Sequence, residues 1–279
     1  MRLTSVLLLV TLLTGCKNNS TANTKRPSSA TVATTNPQDT LIPNTAKVIH
    51  VFVALCDNKN QGIVPVPASI GNGQNAATNL YWGCAGGVKG FFKKSASWNL
   101  VVTIKDPATN ILERCVFKHN EQNAWLVADA YDGAAIKQCT LDFLTAAAGG
   151  NNQQFKTGNT ALGIGGSANL ISYIGHDGLM EFSLHDVYPG KKNDAKRETI
   201  ILACISKNYF YSGIQKAGAT PLLWSTGLMS PEAYTLEAAI AGWLKQESAR
   251  QIRTRAAQEY DKYQHCGVKA ASRLLVTGW

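Results

Sequence analysis

Apolar residues in this chain gather into short runs separated by polar or glycine-rich stretches. Three runs, over 48–55, 170–174 and 200–203, carry several β-branched residues and are bounded by polar residues or glycine. They are apolar on both faces and too short for helices, so they read as buried central strands of a parallel sheet. Further strands are predicted over 98–105 and 111–118, joined as a hairpin by a turn at 106–110, and over 125–130 and 221–226. Helical spacing links Leu80, Cys84, Val88 and Phe91, with Gly83, Gly86, Gly87 and Gly90 on another stripe. A helix over 80–91 that approaches the sheet closely is expected there. Asp132 is placed to cap a helix over 133–148, with Ile136, Cys139, Thr140, Phe143 and Leu144 on one face. A short helix over 208–217 follows the 200–203 run. Ser230 as cap and Pro231 at the first position start another, its buried face carrying Leu236, Ile240, Trp243 and Leu244. Residues 248–263 form a polar helix rich in Arg and Gln, and the tail over 267–279 stays ambiguous. Residues 149–167 and 179–197 read as loops. Strands alternating with helices give an α/β fold of three layers, with a mainly parallel central sheet and helices on both faces.

The N-terminus adds an address. Arg2 precedes an apolar run over 3–13, which is too short to span a bilayer and reads as a signal-peptide core. Leu13-Thr14-Gly15-Cys16 follows directly and resembles the bacterial lipobox. Cys16 is therefore expected to be acylated, as with palmitate, and to become the first mature residue. The expected organisation is a lipoprotein signal peptide over 1–15, a flexible Asn/Ser/Thr/Pro-rich tether over 16–46, a folded domain over 47–248 and a C-terminal helix and tail over 249–279. The expected location is the bacterial cell envelope, outside the cytoplasm, held to the lipid bilayer by the N-terminal anchor. A composition 45% hydrophobic and 16% charged excludes disorder throughout. The net charge of +9 is scattered and reads as solvated surface, tilting weakly toward acidic substrates or an anionic surface. No nucleic acid partner is expected. Six Cys follow Cys16, without the spacing of a zinc site. Gly163-Ile164-Gly165-Gly166 precedes a strand instead of opening a helix, so it makes a weak nucleotide loop.

The candidate chemistry lies where two strands end. Ligands of open α/β sheets bind outside the carboxyl ends of the strands. The run over 170–174 leads to His176, and the run over 200–203 leads to Cys204. Adjacent strands bring a thiol nucleophile and its base to one rim. The amino end of the helix from Asn208 is expected to lower the Cys204 pKa. Asp57 and Asn58, at the end of the first strand, reach the same rim and are candidates to orient His176. Cys56 is a rival thiol and His185-Asp186 a rival pair. His50 reads as core, and His119 is assigned no role.

These segments, Tyr173-Ile174-Gly175-His176-Asp177-Gly178 and Leu202-Ala203-Cys204-Ile205-Ser206, resemble the caspase-like cysteine peptidases, the group of caspases, gingipains, legumains and separases. In that family the base follows one strand in a His-Gly pair, and the nucleophile follows the next in an Ala-Cys or Gly-Cys pair. The resemblance implies a caspase-like domain that hydrolyses peptide bonds, with Cys204 and His176 catalytic and a peptide or protein as substrate. N–H groups of Cys204 and of Asp177 or Gly178 would bind the oxyanion. Asp177 departs from the pattern by separating the His from the Gly. Trp224, Ser225 and Thr226 resemble the substrate-groove segment, which pairs with an extended peptide as an added strand. No metal or organic cofactor is implied, although some relatives use calcium. Two other readings stay open: a non-catalytic caspase-like module binding a peptide or partner, and a structural envelope lipoprotein.

Overall fold

The computed structural model of the chain describes residues 46–279. The expected signal peptide, the lipidated Cys16 and, apart from Ala46, the tether lie outside the described residues. The first buried run forms β1 (Lys47–Ala54), on which Ile49, Val51 and Val53 face one apolar cluster and Val48, Phe52 and Ala54 the other. This two-sided burial follows from period-2 alternation in a strand covered on both faces. The 98–118 stretch forms the hairpin β2 (Trp98–Ala108) and β3 (Ile111–His119), and β4 (Ala124–Tyr131) follows. The two strands that end at the candidate residues are β7 (Leu170–Gly175) and β8 (Glu198–Leu202), with β9 (Thr220–Ser225) next.

One eight-stranded sheet has the order β10-β9-β8-β7-β1-β4-β3-β2, where β10 is Leu275–Val276. The pairs β1/β4, β1/β7, β7/β8 and β8/β9 are parallel, while β2, β3 and β10 attach antiparallel at the two sides. The fold is therefore α/β, with a large mixed, mostly parallel sheet between helical layers. One face is covered by α2 (Ile136–Ala147) and α3 (Ser206–Ala217), through Phe143, Leu144, Phe210 and Ile214. The other is covered by α1 (Val88–Phe92), α4 (Ala233–Leu244), α5 (Ala249–Gln264) and α6 (Val268–Leu274), through Phe92, Leu236, Ile240, Ile252 and Ala271. Residues 249–279 thus belong to the same core as the strands. From β1 the chain runs to the edge at β2, returns through β3 to β4 beside β1, and then crosses to β7 on the other side of β1, so the strand order reverses at β1, the place where open α/β sheets bind ligands.

Three local expectations change. The helix expected over 80–91 is only α1; the residues before it form turns. A Cβ on Gly83, Gly87 or Gly90 would strike backbone atoms 1.9–2.5 Å away. The Asn79 side chain there bonds the backbone of Cys56 and Tyr81, supplying the local alternative to a helix. The loop expected over 149–167 contains a second hairpin, β5 (Gln153–Thr157) and β6 (Thr160–Ile164), closed by Gly158-Asn159 with Gly158 at φ 53°. A Gly-Asn pair between short strands is a hairpin signal. Finally, Ser230 does not cap α4. Glu232 occupies the cap position, and the Ser230 hydroxyl donates to Gln264 Oε1 at 3.1 Å.

Candidate active site

The last registered pair of β7 and β8 is Ile174 with Leu202, and His176 and Cys204 each lie two residues beyond it. Gly175 makes the turn out of β7 possible. Its φ is 134°, and a Cβ there would lie 2.2 Å from the Ala54 carbonyl oxygen. The Tyr173 hydroxyl donates to the His176 carbonyl at 2.6 Å, fixing the backbone after the turn. The His176 ring is 9% exposed, and its Nε2 lies 2.5 Å from Glu181 Oε1. The same oxygen accepts the Gly62 N–H at 2.5 Å. Glu181 therefore ties the imidazole to the loop that follows β1.

Asp57 and Asn58 lie in that loop, but their side chains serve the loop itself. Asp57 accepts from the Lys59 and Asn60 backbones and from the Asn60 and Gln74 side chains. Burial pushes its carboxyl up, yet these hydrogen bonds outweigh it and hold the pKa below the usual range. The Asn58 side chain pairs with both backbone groups of Val66. The group that meets His176 is Glu181, which sequence reasoning missed. Its one signal is position: five residues after His176, beyond a tight turn that Asp177 caps by accepting the Leu179 N–H at 3.0 Å.

Asp177 is 0% exposed, and its second oxygen, Oδ2, is buried with no hydrogen-bond partner among the described residues. Burial, reinforced by the Glu181 charge, pushes its pKa up to about 7.

Cys204 stands half-buried where β8 turns into α3. Ile205, between them, takes left-handed angles (φ 51°, ψ 30°) and donates its N–H to the Gly227 carbonyl at 2.9 Å. A β-branched residue in this region is a conformational outlier. Ser206 and Ser225 lock the corner: Ser206 Oγ donates to the Ile201 carbonyl at 2.8 Å and Ser225 Oγ to the Ala203 carbonyl. Met229 lies against the thiol, its N–H 3.5 Å and its carbonyl oxygen 3.6 Å from Sγ. The helix pole was expected to lower the Cys204 pKa. Instead the pKa is raised, because burial and then the Asp177 charge outweigh the Met229 N–H. The rival Cys56 is fully buried, and its thiol is pushed up to about 11 by burial and by Asp57.

The expected groove segment is occupied by the chain itself. Trp224 is buried and packs edge-on to Trp279 at 5.7 Å. Val276 lies opposite Trp224 and Leu275 opposite Ser225 in the β9/β10 pair. Thr226 donates its N–H to the Leu274 carbonyl at 2.8 Å. His50 is core: its Nε2 is 3.0 Å from Asp129, which Arg114 grips with two nitrogens at 2.6 and 2.7 Å. His185 and Asp186 lie on the exposed surface, and His119 accepts two backbone N–H groups at the end of β3. Among the described residues no group of three His, Cys, Asp or Glu side chains could hold a metal ion, and no helix is long and apolar enough to cross a membrane. No protein-family model matches the chain, and neither a curated protein nor a solved structure matches it.

Proposed function

We propose that this protein is a caspase-like, thiol-dependent peptide hydrolase. The observation that supports the reading is that His176 and Cys204 each lie two residues past the last registered pair of the adjacent parallel strands β7 and β8, with Glu181 at Nε2 of the ring. Glu181 on Nε2 leaves Nδ1 to exchange protons with the thiol. The Cys204 sulfur attacks the scissile carbonyl carbon while Nδ1 takes the thiol proton. The oxyanion is stabilised by the N–H groups of Cys204 and of Asp177 or Gly178. The C–N bond breaks as the imidazolium gives its proton to the leaving amine, and a thioester remains. Water, deprotonated by His176, then attacks the thioester and releases the acid and the thiol. The reading expects peptide turnover that disappears in both Cys204→Ala and His176→Ala with the fold intact by circular dichroism. Turnover that survives Cys204→Ala would sink it.

A second reading, a peptide-binding module that does not cleave, is favoured by one specific feature. Burial raises the Cys204 pKa, and both the N–H and the carbonyl oxygen of Met229 contact the thiol. Alkylation with iodoacetamide separates the two. A hydrolase shows substrate-analogue-dependent acceleration at Cys204 as the peptide displaces Met229, whereas the binding module shows only protection.

The N-terminal motif supports export and acylation at Cys16 as part of the same proposal, with the domain held to the envelope by its tether. Incorporation of labelled palmitate that is abolished by Cys16→Ser is the expected result.

A further inference from the structure

The positive charges are scattered along the sequence, but the fold gathers six exposed lysines at one end of the sheet. The parallel strands begin together there. Lys47 of β1 is level with Ala124 of β4, Ile49 with Leu170 of β7, Leu170 with Glu198 of β8, and Glu198 with Thr220 of β9. Lys118, near the end of β3, lies opposite Trp125 at the same end. Helices α2, α3 and α4 finish there too. The Lys192 N–H donates to the Ala148 carbonyl just after α2 at 2.8 Å, and the Lys191 N–H to the Lys216 carbonyl near the end of α3 at 3.1 Å. Lys47 Nζ donates to the Leu244 carbonyl, the last of α4, at 3.5 Å. Lys191, Lys192 and Lys196 of the loop before β8 therefore share one face with Lys118, Lys216 and Lys245, all exposed. Backbone N–H groups meet the carbonyls that end α2 and α3, which leaves the ammonium groups of that loop outside.

The acids of this face are mostly engaged within the fold. Asp194 pairs with Lys191 at 2.8 Å, Glu198 accepts from Trp243 Nε1 at 2.6 Å, and Glu247 is gripped by Arg255. Glu121 is exposed, three residues after Lys118. Among the described residues, Lys118, Lys192, Lys196, Lys216 and Lys245 form no ion pair. A surface dominated by one sign of charge carries a potential that draws the other. The carboxyl ends of the strands are mixed in sign, with Asp57, Asp132 and Glu181 as well as Lys59 and Lys137. The chain also arrives at the lysine face: Ala46 enters β1 there, and Cys16, the expected acylation site, lies upstream of it.

We infer that this lysine face rests on an anionic lipid surface, with the candidate site turned away from it. The proposed anchor names no face of the domain, so the inference goes beyond it, and it does not need the hydrolase reading. The eight residues of β1 hold the rim about 26 Å from the face that meets the lipid. Each lysine brought close to an anionic membrane strengthens binding about five-fold. A single acyl chain holds a protein only marginally, and a basic patch is the kind of second signal that makes the attachment stable.

The test uses the full chain carrying Cys16→Ser, so that no acyl group contributes. It is sedimented with vesicles of phosphatidylcholine alone, or of phosphatidylcholine mixed equally with phosphatidylglycerol. Binding to the mixed vesicles is expected to be at least about ten-fold tighter and to weaken as salt is raised. Lys191→Gln, Lys192→Gln and Lys196→Gln together are expected to weaken it about twenty-fold or more. Lys118→Gln, Lys216→Gln and Lys245→Gln together are expected to do the same. Removing as much charge from the other end, with Lys59→Gln, Lys137→Gln and Lys269→Gln, is expected to change binding less than about two-fold, since those groups lie beyond the screening length. Equal binding to the two kinds of vesicle, or losses no greater for the two face triples than for the third, overturns the inference. Hydrogen exchange on the bound chain is expected to show protection over residues 190–197 and none over 177–182. The reverse pattern overturns the orientation. Acylation is read separately with labelled palmitate on the chain that keeps Cys16. Lysine-dependent binding without acylation retains the face and removes the anchor, and acylation without lysine-dependent binding does the reverse.

Discussion

Replacing Asp177 by Asn exposes the electrostatics of the site most directly. The carboxyl is fully buried, one of its oxygens has no partner among the described residues, and its pKa is pushed from 3.8 up to about 7. Between these values the native chain keeps a proton that the unfolded chain has released. Native stability is fully present below the unfolded pKa and falls as pH rises, until the folded carboxyl itself ionises near 7. Between pH 5 and pH 7 that is about two pH units at about 1.4 kcal/mol each, so about 3 kcal/mol is lost, and little more above pH 7. Asn can accept the Leu179 N–H as Asp177 Oδ1 does and has no charge to bury. Urea unfolding at pH 5 and pH 8 is expected to show wild type losing about 3 kcal/mol more than Asp177→Asn over that interval. The substitution also removes the charge that helps raise the Cys204 pKa, so its thiol is expected to alkylate faster at pH 8. Parallel stability profiles for the two chains, together with unchanged alkylation, would refute the reasoning.

Other consequences are as specific. Gly175→Ala forces a Cβ onto the Ala54 carbonyl at a φ of 134°, and at least about 2 kcal/mol of destabilisation is expected by chemical denaturation. Asp129→Ala leaves the buried Arg114 guanidinium without its counter-ion, with an expected cost of about 3–5 kcal/mol by the same measurement. The carboxyl of Asp129 is held low despite its burial by Arg114 and His50, so its contribution is present at neutral pH and lost as pH falls. Deleting residues 275–279 uncovers the β9 edge and the buried Trp224. Self-association in size-exclusion chromatography and a red-shifted tryptophan emission are expected.

The parts of the fold legible from sequence were those where burial imposes a pattern. The runs leading to His176 and Cys204 are apolar on both faces, so the strands and their carboxyl-end residues could be read directly. Segments whose shape is decided by a few backbone conflicts were not. The turns before α1 are set by the Asn79 side chain and by glycines packed against neighbouring backbone, which the apolar spacing does not reveal, and the two-residue strand β10 is too short to carry any periodicity. Glu181 stayed hidden for a related reason. Its meeting with His176 depends on the turn at Gly178 and on a loop more than a hundred residues earlier in the chain. The upward shift of the thiol pKa was equally out of reach, since it depends on burial and on the Asp177 charge, which outweigh the Met229 N–H.

Because a single oxygen of Glu181 serves both Gly62 and the imidazole, the segment after β1 and the orientation of the ring are not independent variables. On the proposed reading, a peptide that lifted this segment would strip one donor from the carboxylate and strengthen its hold on the other. Entry of a guest and alignment of the proton carrier would then be two readings of one displacement.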